Sequence, residues 1–288
     1  MISRAKKSAL FLLGFLFFAN ILAWIAVFEF SKPKALEVRF FDVGEGDAIF
    51  IETPERHQIL IDGGANSKIL EKLGKELPFF DKSLDLVILT HPQKDHFTGL
   101  LFVLRDYEVE QILWTGVENK TAGFEEWFKL LEEEKARIVL AKKGINVRAG
   151  SVSLKILFPF EDLAGQEIKN VNNTSIVSHL SFGKNSFLFT GDISSPIEKE
   201  LIEKEIDLGS NVLKVAHHGS KYSSSEEFLE AVLPQLAVIQ VGENPYGHPT
   251  KEVLQRLEKF DINVLRTDEK GDIKVISDGN NLKINFEK

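Results

Sequence analysis

The chain contains no cysteine among its 288 residues. That absence excludes disulfides, thiolate metal ligands and a cysteine nucleophile, and it leaves the redox compartment open. Basic charge is also in short supply: 35 Lys and Arg stand against 43 Asp and Glu, a net charge of −8. Setting aside residues 1–30 removes Arg4, Lys6, Lys7 and Glu29, and the remainder stands at −10. Nothing of this sign forms the basic stripe with which a protein grips duplex nucleic acid, so any such contact is local or carried by metal ions.

Long apolar runs are absent except at one place. Ala9 to Phe28 is interrupted only by Gly14 and Asn20, and Arg4, Lys6 and Lys7 precede it. About 20 residues suffice to cross the hydrocarbon core as a helix. The positive flank predicts an N-terminus held in the cytoplasm, with the folded part outside. Ile21-Leu22-Ala23 is a tolerable cleavage context, which would make the remainder secreted. The apolar run continues through Trp24, Ile25, Val27 and Phe28, which favours an uncleaved, single-pass anchor in the cytoplasmic membrane. Residues 1–34 are therefore expected to be anchor and linker, and 35–288 one folded domain.

What organises that domain is Leu86-Val87-Ile88-Leu89 running into Thr90-His91-Pro92-Gln93-Lys94-Asp95-His96. A buried strand here delivers two imidazoles and a carboxylate to a surface, the donor types a divalent cation takes. The pattern repeats. Gln58–Ile61 ends at Asp62-Gly63-Gly64, Ser186–Thr190 at Gly191-Asp192, Asn211–Ala216 at His217-His218, and Leu236–Val241 leads towards His248. Helices are predicted after these ends, over 67–76, 97–105, 195 onward, 226–233 and 250–260, on apolar spacing and on Ser and Pro at their starts. Five of seven histidines fall in strand-end loops, where an open α/β sheet places its ligand. Asp47 and Asp62 read equally as turn-makers or as neighbours of a ligand. His57 reads as exposed and idle, and His179 as a strand-surface residue.

Several motifs then occur together and in order: Phe41-Asp42-Val43-Gly44-Glu45-Gly46-Asp47, Leu60-Ile61-Asp62-Gly63-Gly64, Thr90 to His96, Asn173-Thr174-Ser175, Phe189-Thr190-Gly191-Asp192, His217-His218-Gly219-Ser220 and Tyr246-Gly247-His248-Pro249. With these the chain resembles the metallo-β-lactamase superfamily, and within it the soluble domain of ComEC-type competence proteins, from Glu37 to about Phe260. The resemblance implies an α/β fold, an αββα sandwich, here preceded by one N-terminal transmembrane helix. It implies one or two divalent ions, zinc or manganese. His91 would bind the first, Asp95, His96 and His248 the second, and Asp192 would bridge them. One of His217 and His218 would bind metal or protonate a leaving group, with His217 favoured for the metal. Asp62 would orient a ligand histidine, and Ser220 and Lys221 would touch a phosphate or serve as helix cap and solvated side chain.

The chain departs from that pattern at Gln93, where the superfamily has His and this subfamily Asp; a neutral amide is the poorer ligand. No Gly-His strand end precedes Asp192, which disfavours a lactam substrate. Family members also carry a multi-helix channel domain, and this chain has one hydrophobic segment, so the channel role does not carry over. Two functions follow from the resemblance. One is a metal-dependent phosphodiesterase or nuclease acting on single-stranded DNA or another phosphodiester outside the membrane, with Asp95, Asp192, His217 and His218 as its catalytic groups. The other is a catalytically weakened, membrane-tethered domain that binds nucleic acid or an envelope partner.

Overall fold

The computed structural model describes residues 4–31, 35–166 and 168–287. It divides into two compact units, Met1–Lys34 and Ala35–Lys288.

The first unit is a single helix, α1 (Arg4–Ser31). Its described apolar side chains stand open, among them Phe11 at 81 % and Phe17 at 70 % exposed. Among the described residues, however, no helix is long and apolar enough to cross a membrane. The expected helix is present as α1 (Arg4–Ser31); the expected membrane span over residues 9–28 is not borne out among the described residues. Most of the expected linker, residues 32–34, lies outside the described residues.

The second unit opens with β1 (Leu36–Phe40), β2 (Ile49–Glu52) and β3 (Gln58–Ile61), followed by α2 (Lys68–Glu76), β4 (Ser83–Leu89) and α3 (Lys94–Asp106). Then come β5 (Glu108–Trp114), α4 (Ala122–Glu133), β6 (Arg137–Leu140), β7 (Asn146–Ala149) and β8 (Val152–Phe158). The second half runs β9 (Val177–Phe182), β10 (Asn185–Phe189), α5 (Ser195–Glu203), β11 (Val212–Lys214), α6 (Glu226–Val232), β12 (Leu236–Ile239) and α7 (Lys251–Lys259). It closes with β13 (Asn263–Arg266), the one-turn α8 (Thr267–Lys270), β14 (Asp272–Ser277) and β15 (Leu282–Glu287).

These strands form two sheets. One has the order β15-β14-β1-β2-β3-β4-β5-β6, the other β13-β12-β11-β10-β9-β8-β7. Each changes partway from antiparallel to parallel pairing: β3 to β6 run parallel in the first, β10 to β13 in the second. Parallel strands are covered on both faces, which is why β4 reads as an unbroken aliphatic run. Val38, Phe40, Ile88, Phe187 and Val238 pack between the sheets. Leu60, Val87, Leu100, Phe124 and Trp127 pack under α2, α3 and α4. Leu188, Leu213, Phe228, Ile239 and Val253 pack under α5, α6 and α7. The result is the αββα sandwich that the family resemblance implied.

The carboxyl ends of β4, β10, β11 and β12 open onto one edge of the sandwich. There α3 is pulled hard against the loop that follows β3. Gly99 N donates to Gly64 O at 2.9 Å, and Gly63 N to His96 O at 2.8 Å. A Cβ on Gly99 would lie 1.8 Å from Gly63 O, so no side chain fits there. Gly99→Ala must push α3 and its His96 outward. The expected cost is about 1–3 kcal/mol, read as a lower thermal unfolding midpoint; an unchanged midpoint would contradict this packing.

Candidate metal centre

At the strand-end edge, four side chains bring ligand atoms within 4.8 Å of one another: Asp95, His96, Asp192 and His218. Asp192 Oδ2 lies 3.3 Å from His96 Nε2 and 3.4 Å from His218 Nε2, and Asp95 Oδ2 lies 3.3 Å from His218 Nε2. Asp95 and His96 belong to the first turn of α3, Asp192 follows β10, and His218 follows β11. Residues more than a hundred apart in the chain thus meet on one rim.

The imidazoles are aimed by what holds their other nitrogen. His96 Nδ1 donates to Asp62 Oδ2 at 2.8 Å, and His218 Nδ1 to the carbonyl of Gln240 at 2.9 Å. His91 Nδ1 is 3.0 Å from Thr90 Oγ1, whose hydroxyl donates to Asp62 Oδ2 at 2.6 Å. Asp62 also accepts from Thr90 N at 2.8 Å. In all three rings Nε2 is buried and has no hydrogen-bond partner, and the same is true of both Asp192 oxygens. Buried polar atoms left unpaired are costly, and nitrogen and carboxylate oxygen converging in this way are a divalent cation's donor set. The residues fit such an ion.

Asp47, Asp62 and His96 form a second close group. It is partly paired internally, through the His96–Asp62 bond and through the ammonium of Lys214, which pairs with Asp47, while Asp47 Oδ1 is buried without a hydrogen-bond partner. Lys214 Nζ also donates to Gly191 O at 3.0 Å and lies 3.5 Å from Asp192 Oδ1. It is fully buried.

Charge in the centre is balanced tightly. Burial opposes the charged form of every member, but the neighbours outweigh it. Asp192, Asp62 and Asp95 hold His96 well above the usual imidazole range. Asp192 and Asp95 raise His218 to about 10. Asp47 and Asp192 keep Lys214 above its ordinary value. Reciprocally, His218, His96 and Lys214 hold Asp192 well below the carboxylate range, and His96 and His218 do so for Asp95. Burial, helped by His96, pushes His91 well down, so its ring is neutral.

His217 and His248 differ. Neither belongs to the four-residue group, although both line the cleft of about 440 Å³ that opens over it. The Gln93 amide donates to Asn172 Oδ1, and Asn172 Nδ2 in turn lies 3.2 Å from His217 Nε2. That chain occupies both the Gln93 side chain and the His217 lone pair. It is the reason the cluster contains His218, where the sequence favoured His217. The adjacent histidines share left-handed backbone, φ 52° at each; His218 is buried in the cluster, and His217 is half-buried at the cleft wall. Burial lowers His217, and burial with the charges of His217 and His218 brings His248 down to about 4. The His248 ring packs 5.4 Å from that of His217, with Nδ1 buried and unpaired.

Other expectations also change. His57 is not idle: its Nδ1 lies 3.0 Å from Asp85 Oδ1, far from the cluster in the fold. Asp47 is buried beside Lys214 and His218, 3.5 Å from His218 Nδ1, beyond any turn-making role. Lys214 went unnoticed in the sequence. Its signal was a charge inside the apolar run Val212-Leu213-Lys214-Val215-Ala216, which a buried strand tolerates only when paired.

Residues 41–243 match the Metallo-beta-lactamase superfamily, and the chain belongs to that superfamily. Among its relatives are ComE operon protein 3 of Bacillus subtilis, 32 % identical over 83 % of this chain and 32 % of that protein, and competence protein ComA of Neisseria gonorrhoeae, 31 % identical over 86 % of this chain and 34 % of that protein. The chain spans about a third of the length of these curated relatives. Among solved structures, the metallo-beta-lactamase fold protein YhfI from Bacillus subtilis superposes with a TM-score of 0.57 at 14 % identity, over 85 % of this chain and all of that one. CmlA, a diiron beta-hydroxylase from Streptomyces venezuelae, superposes at 0.54 and 15 % identity, over 84 % and 54 %. At such identities the likeness is one of fold.

Two outcomes are expected of this geometry. Asp62→Asn removes the carboxylate that aims His96 and should weaken divalent-cation binding about 10- to 100-fold, read by titration calorimetry with Zn²⁺ or Mn²⁺; unchanged affinity would contradict the aiming role. His96 and His218 must lose their protons to donate lone pairs, so two unit charges leave as two arrive. Calorimetry near pH 7.5, in buffers of different ionisation enthalpy, should show about two protons released per ion. The sign follows from the raised values: without metal the His218 pairing is complete below the usual imidazole range near 6.5 and is lost as pH rises towards 10, so the His218 share of the release vanishes above that point.

Proposed function

We propose that this chain is a metal-dependent phosphodiesterase acting on DNA, with one divalent ion, zinc or manganese, held by Asp95, His96, Asp192 and His218. The observation carrying this reading is the set of buried, unpaired Nε2 and carboxylate atoms converging at the foot of a solvent-open cleft. A divalent cation bound there supplies Lewis acidity towards a phosphoryl oxygen and acidifies water.

The chain's own side chains supply the rest. Lys214 holds a fixed positive charge 3.5 Å from Asp192 Oδ1, which would repel a second cation there, and Gln93, a neutral amide committed to Asn172, would offer it no anionic ligand. Both features favour one ion over two. Asp95 orients an attacking water at the start of α3. His217, kept neutral by burial and with its Nε2 lone pair held by Asn172, carries its proton at Nδ1 and donates it at the cleft wall. His91 adds a neutral lone pair beside His96, ring centroids 4.1 Å apart. His248 lines the cleft as a neutral group packed against His217.

Membrane tethering through residues 9–28 is part of the same proposal. The described apolar side chains of α1 are exposed on every side, as on a helix that meets lipid, and the charges of Arg4, Lys6 and Lys7 support a cytoplasmic start. The hydrolytic unit then acts outside the membrane, and the competence names of the relatives agree with DNA as substrate. The second reading, a weakened domain that binds nucleic acid or an envelope partner without cleaving it, draws on the Gln93–Asn172 pairing.

The full chain loaded with Zn²⁺ or Mn²⁺ is expected to cleave a bis-aryl phosphodiester and a single-stranded oligonucleotide, and Asp192→Ala to reduce turnover more than about a hundredfold. Full metal occupancy without turnover on either substrate would overturn the hydrolase reading and leave the binding one.

A further inference from the structure

Two tyrosines stand open beside the cleft, Tyr222 at 67 % and Tyr246 at 71 % exposed. Single exposed aromatics are ordinary, but these two line one groove of about 400 Å³, together with Lys221 and Lys251. Tyr246 and His248 also line the metal cleft, so the groove starts where the cleft ends. Tyr246 is stacked on His248, ring centroids 5.7 Å apart and planes at 29°. Its orientation is thereby set while most of its surface stays open. Lys221 Nζ sits 5.2 Å from the Tyr222 ring centroid. Beyond Tyr222, Lys221 and Tyr222 continue into a further depression along Ser195 and Asn170.

Two rings and two ammonium groups therefore border one path that leaves the metal cleft, with the carboxylate of Glu252 as the one acid in the groove's lining. On a chain of net charge −8, two lysines against one acid in a groove favour anions. Flat rings with cations beside them match a strand whose bases are unpaired: bases stack, and phosphates meet the ammonium groups. A duplex keeps its base faces hidden and leaves such rings without partners. We infer that this track over Tyr246 and Tyr222 holds the nucleotides flanking the scissile phosphate of a single-stranded substrate, with Lys221 and Lys251 on its phosphates. The inference rests on the phosphodiesterase reading and narrows its substrate to unpaired strands.

The test is fluorescence anisotropy on the full, metal-loaded chain with a cleavage-resistant phosphorothioate oligothymidylate and an abasic strand of equal length. Tyr222→Ala and Tyr246→Ala should each weaken oligothymidylate binding about tenfold, while Tyr222→Phe and Tyr246→Phe stay within twofold. The abasic strand should not distinguish any of the four. Lys221→Ala and Lys251→Ala should weaken both strands and flatten the salt dependence. Equal losses on the abasic strand, or no loss on removing the rings, would overturn the track. Turnover is not read here. A chain that binds in this way yet leaves a bis-aryl phosphodiester intact keeps the track and loses the hydrolytic reading, and the opposite pair of results does the reverse.

Discussion

The ammonium of Lys214, sealed between Asp47 and Asp192, is the contact on which the edge of the sandwich depends. Taking an ion out of water costs several kcal/mol even after relaxation, so neither aspartate is tolerable there without an opposite charge. Lys214 comes from β11 in the second sheet and Asp47 from the loop before β2 in the first. One ion pair therefore fastens the two sheets together where the ligands must converge. Gln240 adds a neutral stitch beside it, its amide donating to the carbonyls of Phe41 at 3.1 Å and Ala48 at 2.9 Å. Because Gln240 also accepts from His218, the same side of the seam aims a ligand ring.

This arrangement explains how a pocket so rich in like groups stays folded. Carboxylates of Asp95 and Asp192 face the imidazoles of His96 and His218, and each sign lowers the cost of burying the other. Replacing two imidazolium protons by a divalent cation leaves the total charge as it was. Left-handed backbone at Asp62, His217 and His218 adds strain on the order of 1 kcal/mol at each. The strain sits where a ring or carboxylate is turned into the centre, and surrounding hydrogen bonds hold it in place.

Much of this was legible along the chain. The strand ends at Thr90–His96, Gly191-Asp192 and His217-His218 announced themselves by aliphatic runs stopping at polar clusters, and periodicity marked the helices between them. Asp62, closing a strand beside two glycines, read equally as a turn-maker, and only the family resemblance made it a support for a histidine. What could not be read was which of two adjacent histidines joins the cluster, since a contact from distant Asn172 holds His217 and leaves His218 to the centre. Nor was the chain Gln93–Asn172–His217 visible, because it joins residues 79 and 45 positions apart. Lys214 was concealed by its setting, one charge within a short strand.

By itself the sequence determined the alternation of strands and helices, the donor types available for a metal and the exclusion of thiolate chemistry, because periodicity and composition are local properties. Tertiary structure alone decided which donors are left unpaired, which are spent on a neighbour, and that an ammonium stands beside Asp192. Those depend on side chains from two sheets meeting across a seam, and that distance is not written in residue order.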